Sequence, residues 1–538
     1  MKKARQLLAF LLAMTMVLTS MSFAVFAEDE IAEEPVIVNH PEHPTNLGID
    51  SSAANALRAK GYSKSILIAG LDAGNRADVI LLLCYNETSH EGKMFSVSRE
   101  TYMQLNNAKA YTIDGKTRDF GKCNWASEFG GMEVLTRELN RHLDLNITQY
   151  IGITWQGVAD LADAMNGIDG NIDSPEMLAL INGLIGSKAD PISHTGNVKL
   201  YGWQAVEYLR VRKQDGNEGS LKREDRSRDT FKQLFDRARN MSWLDVLRVY
   251  AAVSDDIQTN MTVAEMKDNL KLIVKEQGGN ATVTDVFKKT NGSFPSKYTK
   301  MWDADGLYYY YVPNTLKSTV VELHKNVFGQ NKYKISKTAT ALDKKINTLK
   351  KKTIKKKRPT LSDAAVSLSK SSAAYTGNAL TPDVSVSLGG RNFREGVDYS
   401  TGYNNNVNPG IATVTVKGLP PTYDGQSKSV SFNILPIATD GLQAEGIAKG
   451  FTAAWNEAAG PVHGYQVQYG LKSNFKGAKS KTVAGISNTS LKVTKLKTGK
   501  TYYVRVRTYV ICSVKKGKKT NKITLYSSWS SPTAVKTN

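Results

Sequence analysis

Three continuously apolar runs near the start of the chain constrain its fold more than any other sequence feature. They are residues 63–71 (SKSILIAGL), 79–84 (VILLLC) and 94–97 (MFSV), short segments rich in leucine and β-branched residues. Because their apolar character is continuous and does not alternate, the corresponding strands would be buried on both faces. The runs therefore predict a central sheet that is covered by helices.

Helical periodicity follows these strands. Residues 131–145 (GMEVLTRELNRHLDL) place apolar side chains three and four positions apart, and residues 155–165 and 228–241 share that spacing. Strands mixed with helices across residues 62–330 predict an α/β or α+β domain with a central sheet flanked by helices.

A different pattern begins at residue 362. Short alternating segments such as 384–388 (VSVSL) and 412–416 (ATVTV) are separated by turn residues, and residues 437–538 repeat this pattern. Such segments are typical of all-β sandwiches, so the chain is predicted to be multidomain. The expected limits are 62–330 for the α/β domain, 331–360 for a basic linker, and 361–436 and 437–538 for two sandwich modules.

The amino-terminal segment predicts a function outside the cytoplasm. A basic start (MKKAR) precedes an apolar run that ends in Val25-Phe26-Ala27, which is the pattern of a secretory signal peptide over residues 1–27. The same run is long enough to remain as a membrane anchor instead. An acidic, Pro-containing tether is expected over residues 28–61, and no later segment is expected to span a membrane. We expect a secreted or extracytoplasmic protein, associated with the cell wall or the outer membrane leaflet.

Positive charge is concentrated towards the carboxyl end. The chain has 71 Lys+Arg and 50 Asp+Glu, a net charge of +21, of which residues 331–360 contribute +11 and residues 437–538 contribute +14. Outside the cytoplasm such a surface predicts no nucleic acid partner, but anionic cell-wall polymers and a membrane surface. The alternative is a lysine-rich surface that only maintains solubility.

Cysteine and histidine usage excludes two other classes of protein. Three cysteines (Cys84, Cys123 and Cys512) are too few for a disulfide-stapled scaffold. Seven histidines, with no CxxC and no HExxH motif, leave little room for a zinc site. In an oxidising compartment Cys84 and Cys123 form either a disulfide or two buried, inert thiols.

Arginine and aspartate recur at predicted strand ends and in loops. The set comprises Asp72, Arg76, Asp78, Arg99, Lys122, Arg210, Arg212, Arg223, Arg226 and Arg228. Arg210 and Arg212 would point to one face if residues 208–212 form a strand. Each arginine alone could be a surface ion pair, but guanidinium groups together match the oxygens of a pyrophosphate, and two aspartates beside them could hold Mg²⁺.

Five segments in this region carry a family resemblance. They are AGLDAGNRADVILL, VSRET, KCNWASEFGG, YGWQAVEYLRVRK and LKREDRSRDTF, which together resemble the LytR-CpsA-Psr family of cell-envelope phosphotransferases. The resemblance implies transfer of a glycopolymer (teichoic acid, capsule or another wall polysaccharide) from a polyprenyl-pyrophosphate carrier to peptidoglycan. It also implies Mg²⁺, or Mn²⁺ in its place, as cofactor.

The same resemblance assigns roles to individual residues. Asp72 and Asp78 would be catalytic carboxylates and metal ligands, and Arg99 and Arg223 would be catalytic arginines. The residues implied to bind pyrophosphate are Arg76, Arg99, Lys122, Arg210, Arg212, Arg223 and Arg226. The chain departs from the family pattern at Glu100, where the family has Asp, and at Ser227, where it has Gln.

The carboxyl-terminal modules also resemble known domains. Residues 361–436 are similar to bacterial immunoglobulin-like wall modules, and residues 437–538 resemble a fibronectin type III domain. In the latter, Trp455 and Tyr465 are expected to be core aromatics, with ligand binding as the alternative. The appended modules and Ser227 leave a second function open, a non-catalytic or weakly pyrophosphatase-active protein that binds the cell wall or lipid pyrophosphate.

Overall fold

The computed structural model describes residues 46–105, 112–113, 116–117, 119–211, 219–286, 293–420, 423–516 and 519–538. They form two compact units. The first contains the described residues up to Met301 together with Tyr309–Lys356, and the second contains Trp302–Tyr308 and Lys357–Asn538. The predicted signal peptide (residues 1–27) and Arg212 lie outside the described residues. No helix in the described part of the chain is long and apolar enough to cross a membrane.

The first unit mixes strands and helices along its length. Its strands are β1 (Tyr62–Leu71), β2 (Ala77–Asn86), β3 (Glu91–Val97), β4 (Tyr102–Gln104), β5 (Thr112–Ile113), β6 (Lys116–Thr117), β7 (Phe120–Lys122), β8 (Gln149–Thr154), β9 (Ile168–Ile172), β10 (Gly196–Leu200), β11 (Ile257–Thr259), β12 (Thr282–Asp285), β13 (Ser293–Phe294), β14 (Tyr298–Trp302) and β15 (Tyr309–Pro313). Its helices are α1 (Ser51–Arg58), α2 (Trp125–Leu143), α3 (Trp155–Ala164), α4 (Pro175–Ile185), α5 (Gly202–Arg210), α6 (Gly219–Arg239), α7 (Trp243–Val253), α8 (Val263–Ile273), α9 (Leu316–Phe328) and α10 (Lys337–Lys352).

A mixed sheet forms the centre of this unit. Its strand order is β11-β8-β1-β2-β3-β12, with β13 also pairing with β3. β1 is antiparallel to β2 and parallel to β8. On one face Ile66 and Ile68 point towards α6, α7 and α8, and on the other Leu71 lies beside Met132 of α2. The predicted sheet with helices on both faces is therefore confirmed.

The helix predicted over residues 131–145 begins earlier than its apolar spacing indicated. α2 starts at Trp125, and at Gly131 its backbone leaves the helical region, with φ 70° and ψ −176°. Only glycine adopts such a φ without a steric penalty from Cβ. The apolar repeat was visible only after this interruption, which is why the sequence predicted the second half alone.

Two segments that the sequence assigned to connectors are packed helices. α10 lies within the predicted basic linker 331–360, and its Ala339, Leu342 and Ile346 are buried. α1 lies within the predicted tether 28–61 and buries Leu57. In α10 the apolar residues recur at helical spacing beneath a lysine-rich outer face, so average composition concealed an amphipathic helix.

Among its described residues, the second unit contains β-strands and one short turn of helix, Leu361–Asp363. Its strands are β16 (Ala365–Leu368), β17 (Ser372–Ala374), β18 (Val384–Leu388), β19 (Arg391–Asn392), β20 (Tyr399–Asn404), β21 (Gly410–Gly418), β22 (Ser427–Leu435), β23 (Gln443–Ile447), β24 (Gly450–Ala454), β25 (Gly464–Gly470), β26 (Lys479–Ala484), β27 (Ser490–Val493), β28 (Thr501–Lys516), β29 (Lys519–Tyr526) and β30 (Thr533–Lys536). They form sheets of orders β16-β18-β19, β17-β22-β21-β20, β23-β24-β27 and β26-β25-β28-β29, the last with β30 on β28. Trp455 and Tyr465 are buried in the last sandwich, so their predicted core role is confirmed.

Candidate active site

The turn between β1 and β2 brings three of the predicted site residues together. The carboxylate of Asp72 accepts hydrogen bonds from the backbone N–H groups of Gly74 and Arg76, at 2.9 and 3.0 Å. Nη2 of Arg76 donates to the other oxygen of Asp72 at 2.7 Å. Asp78 follows at the start of β2. Asp72 therefore fixes both the backbone of this turn and the position of the Arg76 side chain.

Arg99 reaches the same edge of the sheet from the neighbouring strand. It lies two residues after β3, which pairs antiparallel with β2, so the end of β3 is close to the start of β2. Its Nη1 donates to Oδ1 of Asp78, and its Nε donates to Oε1 of Glu100 at 2.9 Å. Only 13% of the Arg99 side chain is exposed. Two strand ends thus place one guanidinium between two carboxylates.

Glu100 is a buried anion at the centre of a group of cations. Burial opposes its ionisation, but the charges of Arg99, Arg223 and Lys122 outweigh burial and lower the pKa of Glu100. β4 and β7 pair so that Lys122 is opposite Tyr102, two residues from Glu100. The carboxylate therefore gathers three of the predicted phosphate-binding residues from three parts of the chain.

α6 supplies the arginines that the sequence placed at a helix start. Arg223 is buried, with 2% of its surface exposed. Nη2 of Arg226 donates to the carbonyl oxygen of Val211, and its guanidinium lies 5.6 Å from the ring centre of Tyr208. Arg228 is buried and anchors the helix, donating to Asp285 at 2.9 Å. The first three turns of α6 are therefore fixed by contacts of their charged side chains.

Arg210 is not on a strand, which corrects the prediction for residues 208–212. It is the last residue of α5, where Ala205, Val206 and Leu209 are buried at helical spacing. Its Nη1 donates to Glu207 at 3.0 Å, and its guanidinium lies 5.6 Å from the ring centre of Trp155. Its proposed alignment with Arg212 on one strand face is therefore wrong.

An apolar cavity of about 320 Å³ lies on the α6 side of the sheet. It is lined by side chains of β1, β8 and α6 to α8, among them Ile66, Ile68, Ile151, Phe231, Phe235 and Ala238. Asn269 and Tyr250 are the only lining residues with a polar side-chain atom among those described. α6 thus carries arginines in its first turns and cavity-lining side chains in its later ones.

Comparison with known proteins identifies the family. The sequence profile of the LytR_cpsA_psr family matches residues 28–326, more than half of the chain. The chain belongs to this family. Residues 441–524 match the fibronectin type III domain, as the carboxyl-terminal sequence predicted.

Relatives of this LytR_cpsA_psr protein carry functional names. A Bacillus cereus protein named polyisoprenyl-teichoic acid–peptidoglycan teichoic acid transferase TagU is 29% identical over 268 residues, which are 48% of this chain and 77% of the relative. A Bacillus mycoides protein of the same name is 27% identical, covering 55% of this chain and 89% of the relative. The enzyme class that the sequence predicted, a transferase of this family, agrees with these names.

Solved structures also resemble the chain. That of Bacillus subtilis TagT is 18% identical with a TM-score of 0.37, covering 50% of this chain and 92% of TagT. That of a Streptococcus agalactiae protein is 22% identical with a TM-score of 0.42, covering 53% of this chain and 92% of the other.

Two residues that depart from the family pattern, Glu100 and Ser227, have structural roles. Glu100 occupies the place of an aspartate and forms the buried centre of the cation group. The hydroxyl of Ser227 donates to the carbonyl oxygen of Arg223 at 3.0 Å, one helical turn back. The Ser227 hydroxyl is therefore already hydrogen-bonded within α6.

Sequence reasoning missed two acidic side chains near the site. Burial, and the charge of Glu100, raise the pKa of Glu224 to about 7. Burial and the neighbouring Asp72 raise the pKa of Glu128, although Arg76 opposes them. Asn124, by contrast, was already noted in the sequence beside Lys122, and its buried Oδ1 has no hydrogen bond to the described residues. Nothing in the sequence distinguishes Glu224 from the exposed charges beside it, because its burial is set by tertiary packing.

The two cysteines of the first unit are free thiols. Cys84 and Cys123 are both buried and unpaired. Burial raises the pKa of Cys84 to about 12 and that of Cys123 well above its usual value. Of the two alternatives, the structure therefore has the buried, inert thiols.

The carboxylates fit a metal ion that is shared with a substrate better than one held by protein alone. No group of three or more His, Cys, Asp or Glu side chains in the described ranges could hold a metal. Oδ2 of Asp78 accepts no hydrogen bond from the described residues, whereas both oxygens of Asp72 do. Mg²⁺ commonly takes one or two carboxylates and completes its shell with phosphate oxygens and water.

Proposed function

We propose that this protein transfers a wall glycopolymer, of the teichoic acid type or another wall polysaccharide, from a polyprenyl-pyrophosphate carrier to peptidoglycan outside the cytoplasm. The observation that carries the proposal is the gathering of Arg99, Lys122 and Arg223 around the buried Glu100. Fixed cations in a shielded position suit a group with several negative oxygens. The names of the Bacillus relatives support the same reaction.

The apolar cavity would receive the lipid part of the donor. A polyprenyl chain has no polar group to satisfy, and the lining side chains are almost all aliphatic or aromatic. Because α6 runs from Arg223 to the cavity residues Phe231 and Phe235, one rigid element would bind both the pyrophosphate and the first isoprenoid units.

Catalysis would rest on positioned charge. The acceptor hydroxyl forms a new O–P bond to the phosphate that carries the glycan, and the bond from this phosphorus to the bridging oxygen breaks. The polyprenyl phosphate leaves with that oxygen. Arg99 and Arg223 would stabilise the charge that develops on the bridging and equatorial oxygens. The proton of the acceptor hydroxyl passes to Oδ2 of Asp78 where no cation occupies the turn, and to solvent water where Asp78 ligates one.

A divalent cation fits beside these residues. Asp78, with Asp72, would hold Mg²⁺ or Mn²⁺, which would supply further positive charge at the phosphate oxygens. Arg76 remains bound to Asp72 in this arrangement and can contact a second phosphate oxygen from the rim of the turn.

The alternative is a protein that binds wall polymer or lipid pyrophosphate and hydrolyses it weakly. Ser227 favours it, because its hydroxyl is bonded within α6 and does not extend towards the site as a glutamine amide could. In that case water replaces the acceptor hydroxyl in the same displacement.

The purified full-length chain, incubated with a glycan-linked polyprenyl pyrophosphate and peptidoglycan oligomers, tests the proposal. Glycan attached to peptidoglycan, with release of polyprenyl phosphate, supports transfer. Glycan phosphate released into solution, with peptidoglycan unmodified, supports the hydrolytic alternative.

The proposed partners and location follow from the same reaction. The basic second unit would retain the protein on anionic wall polymer, and the donor would place the first unit at the outer membrane surface. A signal peptide over residues 1–27, cleaved or retained as an anchor, is the proposed route there.

A further inference from the structure

One face of the carboxyl-terminal sandwich carries a continuous stack of aromatic rings and guanidinium groups. Its members, in order, are Phe475, Arg505, Trp529, Arg507 and Tyr526. The guanidinium carbon of Arg505 lies 4.0 Å from the ring centre of Phe475 and 4.4 Å from that of Trp529. That of Arg507 lies 4.2 Å from Trp529 and 3.7 Å from Tyr526. We call this set the arginine–aromatic ladder.

Hydrogen bonds fix the plane of each guanidinium. β25 and β28 pair so that Gln468 is opposite Arg505 and Gln466 is opposite Arg507. Nε and Nη2 of Arg507 donate to Oε1 of Gln466 at 2.9 and 2.6 Å, and Arg505 binds Gln468 in the same way. With each guanidinium stacked on its faces and held along one edge, its orientation is set before any ligand arrives.

Each ladder arginine still has a free donor group. Nη1 of Arg505 and Nη1 of Arg507 make no hydrogen bond to the described residues, and neither atom is buried. The two arginines are two residues apart on one strand face, which spaces their side chains by about 7 Å. The face therefore presents two oriented cationic donors at a fixed separation.

No carboxylate in this part of the chain competes for these donors. Residues 458–538 contain 16 Lys+Arg and no Asp or Glu. Burial, and then the charge of Arg505, lower the pKa of Arg507, so an anion beside the two guanidinium groups would relieve their repulsion. Charge complementarity thus selects a polyanion as the occupant.

We propose that the arginine–aromatic ladder is a binding surface for the phosphate groups of the wall glycopolymer, one phosphate at each guanidinium, with the polyol or sugar units against the aromatic edges. The identity of the polymer rests on the proposed function. The ladder would bind the polymer at a specific site, whereas the basic composition of this region alone predicts only diffuse electrostatic attraction.

The test measures binding of the full-length protein to soluble poly(glycerol phosphate) by titration calorimetry at fixed ionic strength. The variant Arg505→Lys/Arg507→Lys keeps both charges but loses the planar fork. We expect it to weaken binding about tenfold, as loss of charge-assisted hydrogen bonds implies. The matched control, Lys492→Gln/Lys497→Gln, removes two exposed charges that are not part of the ladder and should change binding less than about twofold.

A second double variant tests the ladder without disturbing the fold. Gln466→Glu/Gln468→Glu keeps the hydrogen-bonding partner and the stack but neutralises each guanidinium, so it should abolish the ladder's contribution while the melting temperature stays near that of the wild type. If the lysine and glutamine-to-glutamate variants bind like wild type, or if the Lys492/Lys497 control loses as much as they do, attraction is diffuse and the proposal is wrong.

Transfer assays separate this inference from the proposed function. Both ladder variants should transfer glycan to soluble peptidoglycan oligomers at the wild-type rate, because the ladder is in the second unit and takes no part in the reaction. Polymer binding that depends on the ladder in a protein that transfers nothing would refute the proposed function and leave the ladder site standing.

Discussion

Arg99 donates a hydrogen bond to the carboxylate of Asp78, joining the ends of two adjacent strands. The sequence assigned these residues to different partners, Asp78 to a metal ion and Arg99 to pyrophosphate. Their contact means that Asp78 also orients Arg99 through Oδ1, while Oδ2 accepts no hydrogen bond from the part of the chain that the structure describes. We therefore expect phosphate binding by Arg99 and metal binding by Asp78 to be coupled.

Arg99→Ala should lower stability as well as donor binding, because it removes a cation from the buried carboxylate of Glu100. Leaving a buried charge partly uncompensated costs about 3 kcal/mol. The double variant Arg99→Ala/Glu100→Gln should recover most of the stability but none of the affinity for lipid pyrophosphate. Urea denaturation and donor titration measure the two effects. Recovery of affinity in the double variant would show that Arg99 acts only as a structural counter-ion.

Glu224 predicts a pH dependence of stability. Its pKa is raised from 4.5 to about 7, so the folded state binds more protons than the unfolded state between these values. The stability that protonation of Glu224 provides is complete below about pH 4.5, falls as the pH rises, and is lost above about pH 7, a change of about 3 kcal/mol.

The variant Glu224→Gln isolates this effect. Its free energy of unfolding should lack the decline between pH 4.5 and pH 7 that the wild type shows, because the amide does not titrate. Urea unfolding at several pH values measures the difference. Parallel pH profiles for the two proteins would contradict the assignment.

A bulky side chain in the apolar cavity should weaken binding of donors with a long lipid more than binding of donors with a short one. Ala238 lines the cavity, so Ala238→Trp should raise KM for a long-chain polyprenyl donor about tenfold, as loss of buried apolar area implies. A donor with one or two isoprene units should be unaffected. Ala251→Trp, on the exposed side of α7, is the matched control. Equal effects on both donors would place the lipid elsewhere.

The position of α10 predicts where the chain can be truncated. Ending the chain after residue 330 removes Leu342 and Ile346, which are buried in the first unit, and should destabilise it by several kcal/mol. Ending it after Lys356 keeps α10 and should leave turnover on a soluble donor close to that of the full chain. Thermal unfolding and turnover of the two truncations provide the comparison. Equal stability would show that α10 contributes little.

The sequence predicted those features that depend on local pattern. Continuous apolarity identified β1 and β2, since strands buried on both faces need no polar alternation. It misassigned the segment ending at Arg210, because Tyr208-Leu209-Arg210-Val211 alternates like a strand while its apolar residues also recur at helical spacing. The ladder of Arg505 and Arg507 was read only as a strand, because the stacking rings come from distant parts of the chain.

The residues of the candidate site also fall into those that the sequence indicated and those that it did not. Residue type and position singled out Asp72, Asp78 and Arg99, which the structure places at one edge of the sheet, and their catalytic roles stay predictions. The sequence did not indicate that Glu100 and Glu224 are buried within the site. Burial of a carboxylate depends on which helices and strands pack against it, and this cannot be inferred from the neighbouring residues in the sequence.

Glycan transfer by Arg223→Ala tests the central claim most directly. The full-length wild type and this variant are compared with a glycan-linked polyprenyl-pyrophosphate donor and peptidoglycan oligomers, and the glycan joined to peptidoglycan is measured. If Arg99, Lys122 and Arg223 bind the pyrophosphate, the wild type transfers glycan and the variant transfers it at least about a hundredfold more slowly. Removal of one group that stabilises transition-state charge commonly has an effect of this size. Arg248→Ala, an exposed arginine of α7, should transfer normally. Undiminished transfer by Arg223→Ala, or no transfer by the wild type, would contradict the account.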